Sequence, residues 1–235
     1  MTSTEILAQL KTLGSDSIKK VLVKHGAREP FYGVKVEELK KIQKKVKKDY
    51  KLSMELFDTG ISDAMYLAGL IADPEKMTKN DLQKWADKAY WYMLIEYPVA
   101  WTAAESKYGT ELALEWIESD KETIACAGWA TLGMIASIKP DDQLDIKLYK
   151  KLIERVVKEI PKAQNRVRYT MNGFILSSGA YIAALTDLAI KTGEKMGKIS
   201  VDMGGTACQV PYIPDYMKKI EARGNIGKKR KSASC

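Results

Sequence analysis

Three groups of side chains in this 235-residue sequence have the type and spacing to do chemistry. The first is aromatic and carries one carboxylate: Tyr90-Trp91-Tyr92, then Glu96-Tyr97, then Trp101. Neighbours on a helix point about 100° apart, so three aromatics in a row cannot all face a core. With Trp85, Ala89 and Tyr92 turned inward, Trp91 falls on the flank or the concave side. A tryptophan face beside a carboxylate makes a cage for a flat cationic base; the plainer alternative is that these rings fill helix interfaces. The second group is Gln164-Asn165-Arg166-Val167-Arg168-Tyr169, with Asn172 further along. Arginine forks, tyrosines and amides bind phosphate or stack on a sugar or base, or else form a structural ion-pair network. Arginines that open a helix oppose its dipole, a local cost that argues for a functional reason. The third group is eight lysines between positions 35 and 51: Lys35, Lys40, Lys41, Lys44, Lys45, Lys47, Lys48 and Lys51. Spacings of three, four and seven gather several on one helical face, as a solvated surface or a phosphate-binding one.

Other reaction classes are cut away by what is scarce. His25 is the sole histidine, so any Ser-His or Cys-His mechanism has to run through it. Lys24-His25-Gly26 instead reads as a helix C-terminus, where a cation suits the dipole. No Cys or His pair has zinc-ligand spacing, and no phosphate-binding glycine loop follows a strand. No metal or cofactor is expected. The cysteines Cys126, Cys208 and Cys235 are odd in number and far apart, which speaks for a reducing cytoplasm rather than a disulfide framework. No apolar run reaches the roughly 20 residues that span a bilayer, and the N-terminus does not read as a signal peptide. The formal charge of +8 permits an anionic partner without requiring one.

The elements that must position these groups are helices. Helical periodicity predicts Thr4–Leu13 and Asp16–Lys24, broken at Gly14-Ser15, then Val36–Lys48 and a nearly all-apolar helix over Ser62–Asp73 stopped by Pro74. Thr78, with Asp81 three residues on, caps a helix that carries Leu82, Trp85, Ala89 and Tyr92 on one face. Further helices are expected at Val99–Tyr108, Thr110–Glu118, Asp120–Ile138, Asp145–Ile160, Ala163–Leu176 and Ala180–Thr192. Alternating strand patterns are nearly absent. The rhythm of helices fits antiparallel pairs with a period of roughly 35 to 45 residues, either a solenoid or a bundle. Residues 1–197 read as this helical-repeat domain. Residues 198–235 read as a Gly/Pro-rich strap, a short helix over Asp215–Ala222, and a basic tail. The strap's Gly204-Gly205 pair suits either an anion nest or a loop covering the last repeat. The terminal Lys228-Lys229-Arg230-Lys231 run reads as a mobile tail that adds phosphate contacts beside DNA.

Taken in order, these segments resemble the DNA alkylation-repair family typified by the AlkD glycosylases. Glu29-Pro30-Phe31-Tyr32-Gly33-Val34 before a Leu/Lys helix is similar to that family's N-terminal signature. The apolar Ser62 helix, Tyr90-Trp91, the Glu118-Ser119-Asp120 helix entry, the Arg166 helix and the tail with Val201-Asp202-Met203-Gly204 and Thr206-Ala207-Cys208 follow in matching order. The resemblance covers most of the chain and marks a divergent branch. It implies an all-α superhelical solenoid of HEAT-like repeats whose basic concave surface holds duplex DNA. It also implies, for catalytic members, excision of positively charged N3- or N7-alkylated purines without a deep base pocket. Such a reaction needs a fixed carboxylate and aromatic faces around an oxocarbenium-like sugar, and no metal or nucleophilic cysteine.

The catalytic pair implied by the resemblance is a tryptophan and a carboxylate one helical turn later. Trp91 matches the first, but the second position holds Ile95, and the nearest carboxylate, Glu96, is one residue out of phase. Glu96 takes over only if the helix is locally irregular, which Pro98 allows. The arginine expected on the following repeat is replaced near Cys126, and a second aromatic survives as Phe174. Three readings follow. The chain binds duplex, alkylated or branched DNA as a monomer with glycosylase activity weak, altered or lost; or it is a working 3-methyladenine/7-methylguanine glycosylase using Glu96 and Trp91; or it is a repeat adaptor for a protein. The candidate DNA contacts are Lys40, Lys44, Lys47, Lys48, Arg166, Arg168, Tyr169, Asn172, Phe174, Lys228, Lys229 and Arg230.

Overall fold

The computed structural model describes residues 1–234; Cys235 lies outside the described residues. Among them there is no strand, and helices follow one another in the expected order. α1 (Ser3–Leu13) and α2 (Asp16–Lys24) form the first pair, with His25 as the C-cap of α2 as expected. α3 (Val36–Val46) buries Leu39 and Ile42 and leaves its lysines outward. α4 (Tyr50–Asp58) packs on α5 (Ser62–Ile71), all of whose residues are buried. That burial follows from an apolar composition on every side, which suits a helix enclosed by others. α6 (Lys79–Lys88) starts at the expected Thr78–Asp81 capping box.

From α6 the chain departs from the expected pattern. α6 stops at Lys88, with Ala89 and Trp91 extended, so Tyr92 is not on the α6 face. The next helix is irregular: α7 (Tyr92–Leu94) runs through a π turn over Ile95–Val99 into α8 (Ala100–Glu105). Pro98 sits inside that turn. Proline lacks the N–H that would close a regular turn, and the wider π turn takes up the extra residue.

The second half is built on α10 (Glu122–Ile138) and α12 (Asn165–Tyr181), which pack along each other. α9 (Gly109–Trp116) and α11 (Ile146–Glu159, capped by Asp145) flank them. α10 starts at Glu122 with Lys121 as its N-cap, two residues after the expected Asp120. α12 runs five residues beyond the expected Leu176, and α13 occupies Thr186–Met196 rather than Ala180–Thr192. α14 (Ile213–Ala222) packs on α12 and α13.

The basic tail is not mobile. Gly227 N donates to Ala180 O at 2.8 Å, Arg230 N to Ser137 O at 2.8 Å, and Ala233 N to the Glu105 carboxylate at 2.7 Å. Backbone bonds to three separate helices hold the segment flat against α8, α10 and α12. The strap is tied as well: the Asn165 amide brackets Asp202 through its N–H (2.8 Å) and carbonyl (2.9 Å).

Candidate nucleic-acid interface

The segment Pro30–Val34 anchors the site. Asp63, buried at the start of α5, accepts from Tyr32 N at 2.5 Å and Val34 N at 2.7 Å, while Ser62 N donates to Pro30 O at 3.0 Å. Gly33 has φ +77° and a Cβ there would strike Ser15 O at 2.7 Å, so only glycine lets this segment lie against α2. Ser62 Oγ in turn accepts the indole N–H of Trp91 at 2.8 Å. Trp91 is therefore pinned and only 6% exposed, not a free face on a concave surface. Its ring edge meets Tyr92 at 5.4 Å.

The π turn brings Glu96 inward. Glu96 is 8% exposed and lines one cavity of about 440 Å³ together with Trp91, Tyr92, Cys126, His25 and Arg166. Its carboxylate is held at both oxygens by Arg166, Nε to Oε1 at 2.5 Å and Nη2 to Oε2 at 2.8 Å. The same guanidinium lies between two rings, 4.1 Å from Tyr92 and 4.0 Å from Tyr169. Carboxylate, two aromatic faces and a planar cation thus form a complete cage, and the cation is the chain's own arginine. Burial pushes the Glu96 carboxyl up, and the Arg166 hydrogen bonds pull it back. Burial works to lower Arg166, but its bonds to Glu96 hold it above its ordinary value. Burial raises the phenols of Tyr92 and Tyr169, which present neutral faces to the guanidinium. Beneath, burial and then the Glu96 charge push the Cys126 thiol far above its ordinary range.

The remaining candidates are scattered. Tyr169 and Phe174 line a second cavity of about 220 Å³ that also touches Glu96, although Phe174 is 1% exposed and packed against Trp129 and Tyr149. Asn172 is buried, its amide donating to Pro211 O at 2.9 Å to hold the strap. Arg168, two residues from Arg166, is turned away into a separate cavity with Lys195 and Lys198, as the helical period requires. Lys229 is committed to Asp141 at 2.8 Å and Ala136 O at 2.8 Å, which leaves it little to offer a ligand. Lys228 is exposed, and Arg230 lines the Tyr169 cavity. Lys44, Lys47 and Lys48 come together around a third cavity, about 530 Å³, with Lys231; Lys40 lies one turn back on α3. Ser62 and Asp63 were hidden as polar starts of an apolar helix, and Tyr92 was hidden by a periodicity that placed it in the core. Among the described residues no group of three or more His, Cys, Asp or Glu could hold a metal, and no helix is long and apolar enough to cross a membrane.

Comparison with known proteins places this architecture. The family described as DNA alkylation repair enzyme matches residues 6–201. Two curated relatives are "Uncharacterized protein Lin0241" of Listeria innocua, 29% identical over 96% of this chain and 100% of its own, and "Uncharacterized protein Lmo0209" of Listeria monocytogenes, 29% identical over 95% and 99%. A solved structure superposes with a TM-score of 0.92 at 32% identity over the full length of both chains. It is described as "a new family of proteins related to the HEAT-like repeat DNA glycosylases with affinity for branched DNA structures". The fold is accordingly all-helical and HEAT-like, and the chain belongs to the DNA alkylation repair family.

Proposed function

We propose that this protein is a cytoplasmic, monomeric DNA-binding member of its family that favours branched DNA and has lost efficient excision of alkylated purines. The observation that carries this reading is the cage filled from within: Arg166, bonded at both ends to Glu96 and clamped by Tyr92 and Tyr169, stands where a cationic purine would have to be stabilised. A carboxylate already neutralised by a fixed guanidinium offers little field to a developing oxocarbenium ion. Affinity for DNA is supported by Lys44, Lys47, Lys48 and Lys231, none of which forms an ion pair among the described residues, and by the affinity for branched DNA ascribed to the family of the 32% identical structure.

The test pairs two measurements on the wild type. Fluorescence anisotropy with a four-way junction and a duplex of equal length is expected to show tighter binding to the junction. Chromatography of methylated DNA is expected to show no release of 3-methyladenine or 7-methylguanine above background in single turnover. Robust release that Glu96→Gln abolishes would establish the working glycosylase instead, a reading favoured by the π turn that carries Glu96 into the Trp91 cavity.

A further inference from the structure

The tail crosses the surface between two cavities of opposite character. On one side lies the 220 Å³ cavity, with Tyr97, Tyr169 and Tyr181 in its lining. Small residues, among them Gly133, Gly173 and Ser177, line it as well, and a Cβ at Gly173 would meet nothing within 4 Å, so a flat group can come close. On the other side lies the 530 Å³ cavity, lined by Lys44, Lys47, Lys48, Gln43, Ser232, Ser234 and Glu105, whose carboxylate already accepts from Ala233 N at 2.7 Å. Thr102, which also lines it, is fully buried with an Oγ1 that has no hydrogen-bond partner. The chain bends at Lys231 and at Ala233. Arg230 lines the aromatic cavity and Lys231 the lysine cavity. The ridge between them is fixed by the backbone bonds of Gly227, Arg230 and Ala233 to α12, α10 and α8.

We infer that this tail parts the two arms of a branched nucleic acid: unpaired nucleotides enter the tyrosine-lined side past Arg230, and the phosphates of the adjoining duplex arm lie on the lysine side with Lys231. The inference rests on the DNA-binding reading above and assigns its branch preference to these residues. The two sides match the two chemistries of a fork. Stacking on aromatic faces takes any unpaired base whatever its sequence, whereas an ammonium cluster over a wide cavity takes phosphates and carries no base information.

The experiment measures affinity for a forked duplex, the matching blunt duplex and the matching single strand at one fixed salt concentration. Wild type, Tyr181→Ala, Tyr181→Phe and Lys231→Ser are compared. Tyr181→Ala is expected to weaken fork and single strand by about tenfold, within the usual worth of one base stack, and to leave the duplex unchanged. Tyr181→Phe keeps the ring and is expected to match the wild type. Lys231→Ser is expected to weaken duplex and fork alike and to lower the salt slope by close to one. A base analogue at the fork is expected to be quenched by the wild type and by Tyr181→Phe but not by Tyr181→Ala. A wild type that binds duplex and fork equally, or a Tyr181→Ala that keeps the fork preference or weakens all three ligands in proportion, overturns the inference while leaving DNA binding intact. No binding to any of the three at low salt overturns the DNA-binding reading itself.

Discussion

Glu96 and Arg166 stand 70 residues apart in the chain and meet through two hydrogen bonds, at 2.5 and 2.8 Å, with the guanidinium between two tyrosine rings. Breaking such a pair from one side leaves a buried charge alone, at a cost of about 3–5 kcal/mol. Arg166→Leu should therefore lower the melting temperature sharply, and Arg166→Leu with Glu96→Leu should recover much of the loss. Additive losses in calorimetry would contradict that coupling.

The same pair sets a pH dependence. Burial already raises Glu96, and removing Arg166 removes the influence that pulls it down. A carboxyl whose folded pKa lies above its unfolded value costs stability as pH rises through that window. The deficit of Arg166→Leu relative to the wild type should thus be largest near neutrality and shrink as pH falls toward the ordinary carboxylate range. Denaturant melts at several pH values check the sign.

Gly69 lets α5 lie against the π turn. Its carbonyl accepts the Trp101 indole N–H at 3.1 Å, and a Cβ there would strike Pro98 Cβ at 2.6 Å. Gly69→Ala should destabilise the protein by about 1–3 kcal/mol through overpacking. It should also disturb Glu96, visible as a change in Tyr92 and Tyr169 resonances.

Cys126 is buried with its thiol raised, whereas Cys208 is exposed on the strap; both are free. A thiol reagent at neutral pH should label Cys208 within minutes and Cys126 only on unfolding. Peptide mapping separates the two.

Lys47 and Arg168 make a paired test of which face meets DNA. Lys47→Ala, on the Lys231 cavity, should lower the salt slope of DNA binding by close to one. Arg168→Ala, turned toward Lys195 and Lys198, should leave it unchanged. Equal effects would place DNA on both faces.

Much of the helical order was legible because caps are local: Thr78 with Asp81, Asp145 with Leu148 N, and His25 after α2 each declare themselves within four residues. α4 is not legible locally, because Tyr50 to Asp58 follows a lysine run that looks like continuing surface. The break at Ala89–Trp91 was masked since Tyr92 continues the α6 period. Pro98 did signal the irregular turn, but the partner of Glu96 lies on another repeat, and no local pattern reports that. Order in the tail is likewise invisible locally, because it comes from Ala180, Ser137 and Glu105.

The strap has a consequence for cooperativity. In an open stack each helix pair touches only its neighbours, so the ends fray independently. Here the strap, bound to α12 through Asn165, reaches back to the first pair, where a Cβ on Gly204 would lie 3.2 Å from the Lys24 carbonyl. The strap thus lies beside the first pair while it is bonded to α12. Amide exchange in α2 should therefore track that of α13 rather than run ahead of it, so that a linear array unfolds as a closed ring.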